Sequence, residues 1–80
     1  MRTRFTMFTT VQIAHLLTPM RELLNAGQLL RQPVVGEKGT IVEIFGGLDE
    51  ATYLVEHLDA QGRPEWVAEF VADELQLVPT

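Results

Sequence analysis

The chain has 80 residues, of which 46% are hydrophobic, and this composition is typical of one folded domain with a thin core and excludes a disordered chain. It contains no cysteine, which excludes disulfides and thiolate zinc sites and favours a reducing, cytoplasmic location. Its net charge of −5 argues against nucleic acid as a partner, because phosphates bind clustered Lys and Arg, and no apolar run reaches the ~18 residues that would cross a membrane.

The first predicted element is an N-terminal helix over residues 9–25. Large apolar residues recur there at helical spacing, and Thr9 and Gln12 fit a capping box. Pro19 would kink this helix or divide it in two, because proline cannot donate a backbone hydrogen bond. A strand over residues 4–14 is the competing interpretation, since the start of this range is rich in Thr and Phe. The apolar stripe of the helix is Ile13, Leu16, Leu17, Met20, Leu23 and Leu24.

Beyond residue 27 the chain is predicted to form short strands separated by turns. Glycine, proline and aspartate interrupt the apolar runs at close spacing, which is typical of a small barrel. A single helical turn is expected at residues 72–74, just before the last strand. The five strands are expected at residues 28–32, 40–45, 52–58, 64–71 and 75–78.

A turn at Asp59-Ala60-Gln61-Gly62 fixes the register of one hairpin, because Asp can bond the backbone and Gly accepts a positive φ. With these four residues as the loop, Glu56 would pair with Glu65. Side chains alternate across a strand, so one face is aromatic and the other mixes aliphatic residues with glutamates. A slip of one residue would exchange the two faces. The aromatic face comprises Tyr53, Val55, Trp66, Ala68 and Phe70, and Val42 and Ile44 would join it from the preceding strand.

The mixed face is the predicted binding surface, because aliphatic side chains there must be covered by something. Its glutamates suit a basic protein partner. The N-terminal helix either covers this face of its own barrel or reaches a second copy. A homodimer is the favoured expectation, because twofold pairing is the commonest form of oligomer. The predicted partner-binding residues are Ile41, Glu43, Leu54, Glu56, Glu65, Val67 and Glu69.

Few residues could carry out chemistry. The chain has no serine and no cysteine, so both of these nucleophiles are excluded. The two histidines, His15 and His57, fall on different predicted elements, so no metal site is expected, and His57 is predicted to be a partly buried core residue. The glutamates would serve acid–base catalysis only if burial separated their pKa values. We therefore predict no catalytic residue, no metal site and no cofactor.

Three segments also resemble a known family: Gly36-Glu37-Lys38-Gly39-Thr40-Ile41-Val42-Glu43-Ile44; Tyr53-Leu54-Val55-Glu56 with Asp59 and Gly62; and Asp73-Glu74-Leu75-Gln76-Leu77. Their spacing is similar to that of domain-of-unknown-function family 4926, a bacterial family of small proteins, and of SH3-like and KOW-type barrels more widely. The resemblance covers roughly residues 28–78. It implies a five-stranded SH3-like barrel over residues 28–80, with residues 1–27 as a helical segment packed on the barrel or on a partner. The family has no assigned activity, and its genes tend to be accessory ones, sometimes beside toxin-like genes, which implies a binding role.

The sequence thus predicts a mainly β protein with an N-terminal helix that acts by protein–protein contact. The leading hypothesis is a non-enzymatic, cytoplasmic module that binds a basic partner, as an antitoxin or immunity protein would. The alternative is a structural homo-oligomer whose mixed face is used up by self-association. A small enzyme that uses the glutamates is a distant third.

Overall fold

The computed structural model describes residues 5–18, 31–46 and 50–78. These residues form five antiparallel strands in one sheet, so the prediction of a mainly β protein is confirmed. None of the three ranges contains a helix long and apolar enough to cross a membrane. The elements are β1 (Thr10–Ile13), β2 (Lys38–Gly46), β3 (Ala51–Leu58), β4 (Pro64–Val71), the 3-10 turn η1 (Ala72–Glu74) and β5 (Leu75–Leu77).

The sheet coils strongly around its core. Its strand order is β4-β3-β2-β1-β5, so β4 and β5 would lie about 19 Å apart if the sheet were flat. The chain passes from Val71 to Leu75 through η1 alone, and four residue steps span at most about 14 Å. The two edges must therefore approach each other, and Phe70 and Leu75 share one buried cluster. No ladder joins β4 to β5 in the described ranges, so the predicted closed barrel is not found.

The predicted helix over residues 9–25 is wrong in the part that the structure describes. Four of its residues form β1, which pairs with β2 on one side and with β5 on the other. The competing interpretation, a strand within residues 4–14, is confirmed for Thr10–Ile13. The rest of the predicted helix, residues 19–25, lies outside the described residues. The strand β1 falls within the predicted N-terminal segment and belongs to the same sheet as the strands that follow.

Burial explains why β1 is a strand. Val11 and Ile13 are buried and Gln12 between them is half-buried, which is the two-residue period of a strand with one face on a core. Hydrogen bonding to β2 and β5 and the burial of one face favour the strand. The helical spacing of apolar residues depends mainly on the leucines that follow β1. The chain then turns away from the sheet, and the amides of Ala14 and His15 donate to the carbonyl of Glu74, at 2.8 and 3.3 Å.

The later elements lie close to their predicted positions. The strands β2, β3, β4 and β5 each begin and end within two residues of the predicted bounds, and η1 is the predicted helical turn. The strand predicted at residues 28–32 is not found at residues 31 and 32, which are irregular. Its first three residues lie outside the described ranges.

The β3–β4 hairpin turns at the predicted residues. Asp59 Oδ1 accepts hydrogen bonds from the amides of Gln61 and Arg63, at 2.8 and 2.9 Å. The amide of Asp59 donates to the carbonyl of Arg63 at 2.7 Å, and Gly62 has a φ of 81°. Both features that predicted this turn, an aspartate that bonds the backbone and a glycine with positive φ, are confirmed.

The register of this hairpin differs from the prediction by two residues. Glu56 pairs with Val67 rather than with Glu65, and an irregularity between His57 and Leu58 absorbs the shift. Because side chains alternate with a period of two, a shift of two residues leaves both faces unchanged. The aromatic face is therefore confirmed as the core. Tyr53, Val55, Trp66, Ala68 and Phe70 are each at most 1% exposed.

A β-bulge in β2 moves Ile41 into the core. Ile41 pairs with Val55 and Glu43 pairs with Leu54, so Val42 is the extra residue between the two pairs. Ile41 is fully buried, and its predicted place on the mixed face is wrong. The extra residue places Ile41 and Glu43 on opposite faces of the sheet, and Glu43 is on the predicted one.

Candidate functional site

The face of β2, β3 and β4 that points away from the core, here called the outer face, mixes apolar and acidic side chains. Three of its apolar residues are large and well exposed, with Phe45 at 45%, Leu58 at 46% and Val71 at 42%. Phe45 and Val71 flank Thr52 at the start of β3, and Leu58 lies at the other end of the same strand. Exposed apolar side chains spread along one sheet face indicate a contact surface. The outer face consists of Thr40, Glu43, Phe45, Thr52, Leu54, Glu56, Leu58, Pro64, Val67, Glu69 and Val71.

Each glutamate of the outer face lies beside an aliphatic residue. Leu54 pairs with Glu43 on one side and with Glu69 on the other, and Glu56 pairs with Val67. No carboxylate on this face directly opposes another, which avoids a repulsion of about 0.2–1 kcal/mol per pair. Neither Glu43 nor Glu56 forms an ion pair with a cation in the part of the chain that the structure describes. The outer face is thus apolar with regularly spaced negative charges.

The structure brings together five of the seven residues predicted to bind a partner. Ile41 is excluded because it lies in the core. Glu65 is excluded because the irregularity at the start of β4 turns its carboxylate toward Arg31 and His57. The five that share the outer face are Glu43, Leu54, Glu56, Val67 and Glu69.

The predicted helical stripe is not one surface in the described residues. Ile13 is 2% exposed in β1, Leu16 is half-buried against the core, and Leu17 is 63% exposed. These three side chains therefore have three different environments. Met20, Leu23 and Leu24 lie outside the described residues.

A second charged group connects the segment before β2 to the β3–β4 hairpin. Its centre is Glu37, whose Oε1 accepts hydrogen bonds from Trp66 Nε1 at 3.1 Å, from the amide of Val34 at 2.8 Å and from Arg31 at 2.9 Å. Trp66 is fully buried, so this carboxylate satisfies the single polar atom of the largest core side chain. We call Arg31, Glu37, His57 and Glu65 the carboxylate cluster.

The other contacts of the carboxylate cluster converge on two oxygens. Arg31 Nη2 donates to Glu65 Oε1 at 3.1 Å and also to Glu37 Oε2. His57 Nε2 lies 3.1 Å from the same Glu65 oxygen and 3.3 Å from Glu37 Oε2. His57 Nδ1 lies 2.6 Å from the carbonyl oxygen of Lys38 and must carry a hydrogen, because a carbonyl oxygen only accepts. The cluster is therefore an oriented group of charges rather than a loose surface patch.

Sequence reasoning predicted that His57 is partly buried, and this is confirmed. Its side chain is 19% exposed, and its ring stacks on Trp66 with centroids 5.3 Å apart and planes at 14°. The partnership of His57 with Arg31 and Glu37 was not predicted. These residues are far apart in the sequence and form no motif, so only the register of the folded sheet places them together.

The carboxylate cluster should make stability depend on pH in acid. Arg31 and the amide of Val34 hold the pKa of Glu37 at about 2, below its ordinary value of 4.5. A carboxyl group whose pKa is lower in the folded state than in the unfolded state stabilises the fold at pH values above its unfolded pKa. This stabilisation is lost as the pH falls through the folded pKa. Because Arg31 is half-exposed, we expect the loss between about pH 4.5 and pH 2 to be only about 1–2 kcal/mol. Urea denaturation at several pH values in this range measures the loss. A chelator keeps metal ions away from the carboxylates during the measurement.

The control for this prediction is Glu37→Gln, which keeps the shape of the side chain and cannot titrate. The variant should be less stable than the wild type at neutral pH, and its stability should change less in this acid range. Equal pH dependence in the two proteins would assign the acid sensitivity to other carboxylates.

Comparison with protein-family models, with curated proteins and with solved structures finds no match for this chain. The outer face and the carboxylate cluster are therefore the two features of this chain from which a function can be inferred.

Proposed function

We propose that this chain is a non-enzymatic, cytoplasmic interaction module that binds a basic protein partner through its outer face. One observation supports this most directly: exposed Phe45, Leu58 and Val71 share a sheet face with three glutamates. Burial of apolar area contributes most of the affinity of such a contact, and complementary charge increases the association rate and the specificity. A role like that of an antitoxin or immunity protein is consistent with this surface, because such proteins act by covering a partner.

Charge favours a basic partner over a second copy of the chain. A twofold contact places the same surface against itself, so two outer faces would bring the glutamates of one copy, Glu43, Glu56 and Glu69, close to those of the other. Like charges brought together at an interface cost free energy and suppress that pairing. A homodimer through this face is the alternative. It predicts an association that strengthens as salt concentration rises, which sedimentation at several concentrations would detect.

We further infer that the coiled sheet is an SH3-like barrel left open between β4 and β5, related to domain-of-unknown-function family 4926. The single 3-10 turn between strands at opposite edges supports this inference, because it forces the sheet to curl.

Binding can be tested with a peptide probe before any natural partner is known. The probe is an extended peptide of alternating lysine and valine, titrated into the isotope-labelled protein and followed by amide chemical shifts. We expect the shifts to concentrate on β2, β3 and β4 and the affinity to fall as salt rises. The double variant Glu56→Lys, Glu69→Lys should weaken binding by at least ~10-fold, because it reverses two of the three charges on the face.

Two controls separate charge on this face from charge in general. Glu50→Lys reverses an exposed glutamate that precedes β3 and belongs to none of the strands of the outer face, and this variant should bind the probe nearly as well as the wild type. A peptide of alternating glutamate and valine should not bind. Shifts that map elsewhere, or equal affinity in the double variant, would contradict the proposal.

A further inference from the structure

We propose that Glu37, His57 and Glu65 form a zinc-binding site, and that the guanidinium of Arg31 holds the position of the metal ion when no zinc is bound. The site lies within the carboxylate cluster, at the junction of the segment before β2 with the β3–β4 hairpin. It is separate from the outer face and does not depend on the proposed function. Its ligands would be one imidazole nitrogen and two carboxylate oxygens, a donor set that suits zinc.

The spacing of the three ligand atoms fits a tetrahedral ion. His57 Nε2 lies 3.1 Å from Glu65 Oε1 and 3.3 Å from Glu37 Oε2, and all three atoms lie within 4.8 Å of one another. Ligands about 2.05 Å from a tetrahedral zinc ion are separated from each other by about 3.3 Å. Two of the three separations already have about this length. The third, between the two carboxylate oxygens, is at most 4.8 Å, so these oxygens would have to approach each other by no more than about 1.5 Å.

The imidazole of His57 is oriented as a metal ligand. Its Nδ1 donates to the carbonyl of Lys38 at 2.6 Å, and a backbone carbonyl on the second nitrogen is a common outer partner of zinc-bound histidine. Its Nε2 faces Oε2 of Glu37 and Oε1 of Glu65. Three potential ligand atoms therefore converge on one place.

The carboxylate of Glu37 is also fixed from outside the site. Its Oε1 is held by Trp66 Nε1 and by the amide of Val34, which leaves Oε2 directed at the cluster. Arg31 also donates to Oε1, but the two other donors do not belong to Arg31 and would still hold this oxygen if Arg31 moved away. Outer-shell hydrogen bonds of this kind set ligand geometry and strengthen metal binding. They distinguish the site from a solvated group of acids.

Arg31 marks the position where a cation is favoured. Its Nη2 bonds the same two oxygens, Glu37 Oε2 and Glu65 Oε1, that would hold the metal. The Arg31 side chain is 44% exposed, more than any other member of the cluster, and a long exposed side chain can turn into solvent. Half-exposed ion pairs are worth little, so a divalent ion has a modest competitor. The three protein ligands leave a fourth position for water.

The test is a zinc titration of the whole chain against a chromophoric chelator, with thermal unfolding measured in parallel. We expect one zinc ion per chain and a raised melting temperature, because the ion binds the folded state. Glu65→Gln removes one ligand at a half-exposed position, and should weaken binding by at least ~10-fold. Arg31→Met removes the competing cation and should tighten binding by about 10-fold.

The matched control is His15→Asn, which replaces the other, exposed histidine and should bind zinc as the wild type does. Absence of zinc binding by a folded wild type would overturn the proposal. Loss of binding in His15→Asn, or unchanged binding in Glu65→Gln, would place the ion elsewhere and overturn it as well. If Arg31→Met binds zinc no more tightly than the wild type, Arg31 does not compete with the metal.

Discussion

Replacing Gly39 with alanine is expected to destabilise the fold by about 2–4 kcal/mol, because overpacking in a core costs about 1–3 kcal/mol and a contact with backbone cannot relax easily. A Cβ at this position would lie 2.6 Å from Val55 Cγ1 and 2.7 Å from the carbonyl oxygen of Glu56. Gly39 lies in β2 and pairs with Val11 of β1, so its neighbours on both sides are held by ladders. The only relief is to separate β2 from β3.

Gly36→Ala is the matched control in the same segment. Gly36 has a φ of 96° and no atom within 4 Å of an added Cβ, so its variant has backbone strain without a clash. The expected loss is about 1–2 kcal/mol. Urea denaturation of both variants, fitted with the same m-value, gives the loss in the free energy of unfolding for each. A Gly39→Ala variant no less stable than Gly36→Ala would show that the strands separate easily at this point, contrary to the packing described.

The two faces of β3 and β4 were predictable because they follow from alternation alone. The turn from Asp59 to Gly62 located the hairpin, and the register error of two residues changed neither face. The predicted pairing of Glu56 with Glu65 is unfavourable in itself, since like charges directly opposite each other are destabilising. This repulsion argues for a different register. Continued alternation also places Phe45 on the outer face, although it was missing from the predicted partner-binding residues.

Three features could not be predicted, for different physical reasons. The residues from Thr10 to Ile13 fit a strand or the start of a helix, and their tertiary pairing with β2 and β5 decides between them. The bulge at Val42 has no local signal, since no glycine or proline marks it. The carboxylate cluster joins residues 6 to 34 positions apart, and such a group depends on the final register rather than on any motif.

Glu74→Ala is expected to cost about 2–4 kcal/mol, because it leaves two backbone amides without their acceptor. Glu74 is 2% exposed, the one charged residue among those the structure describes as buried. Its Oε2 accepts from the amide of Leu17 at 2.9 Å, and its Oε1 accepts from the amide of Val71 at 3.1 Å. The side chain thus fastens the chain after β1 to the 3-10 turn between β4 and β5, where the two edges of the coiled sheet approach each other.

Amide hydrogen exchange separates this role from a general loss of stability. In Glu74→Ala, protection at Leu17 should fall more than protection at Val55 in the centre of the sheet, because local opening needs less free energy than unfolding. Glu74→Gln keeps one acceptor oxygen and should lie between the variant and the wild type, whereas Glu50→Ala at an exposed site should change stability by less than about 0.5 kcal/mol. If exchange at Leu17 is unaltered in Glu74→Ala, the contact does not hold this segment. The coiling would then depend on core packing and on the short connection through η1.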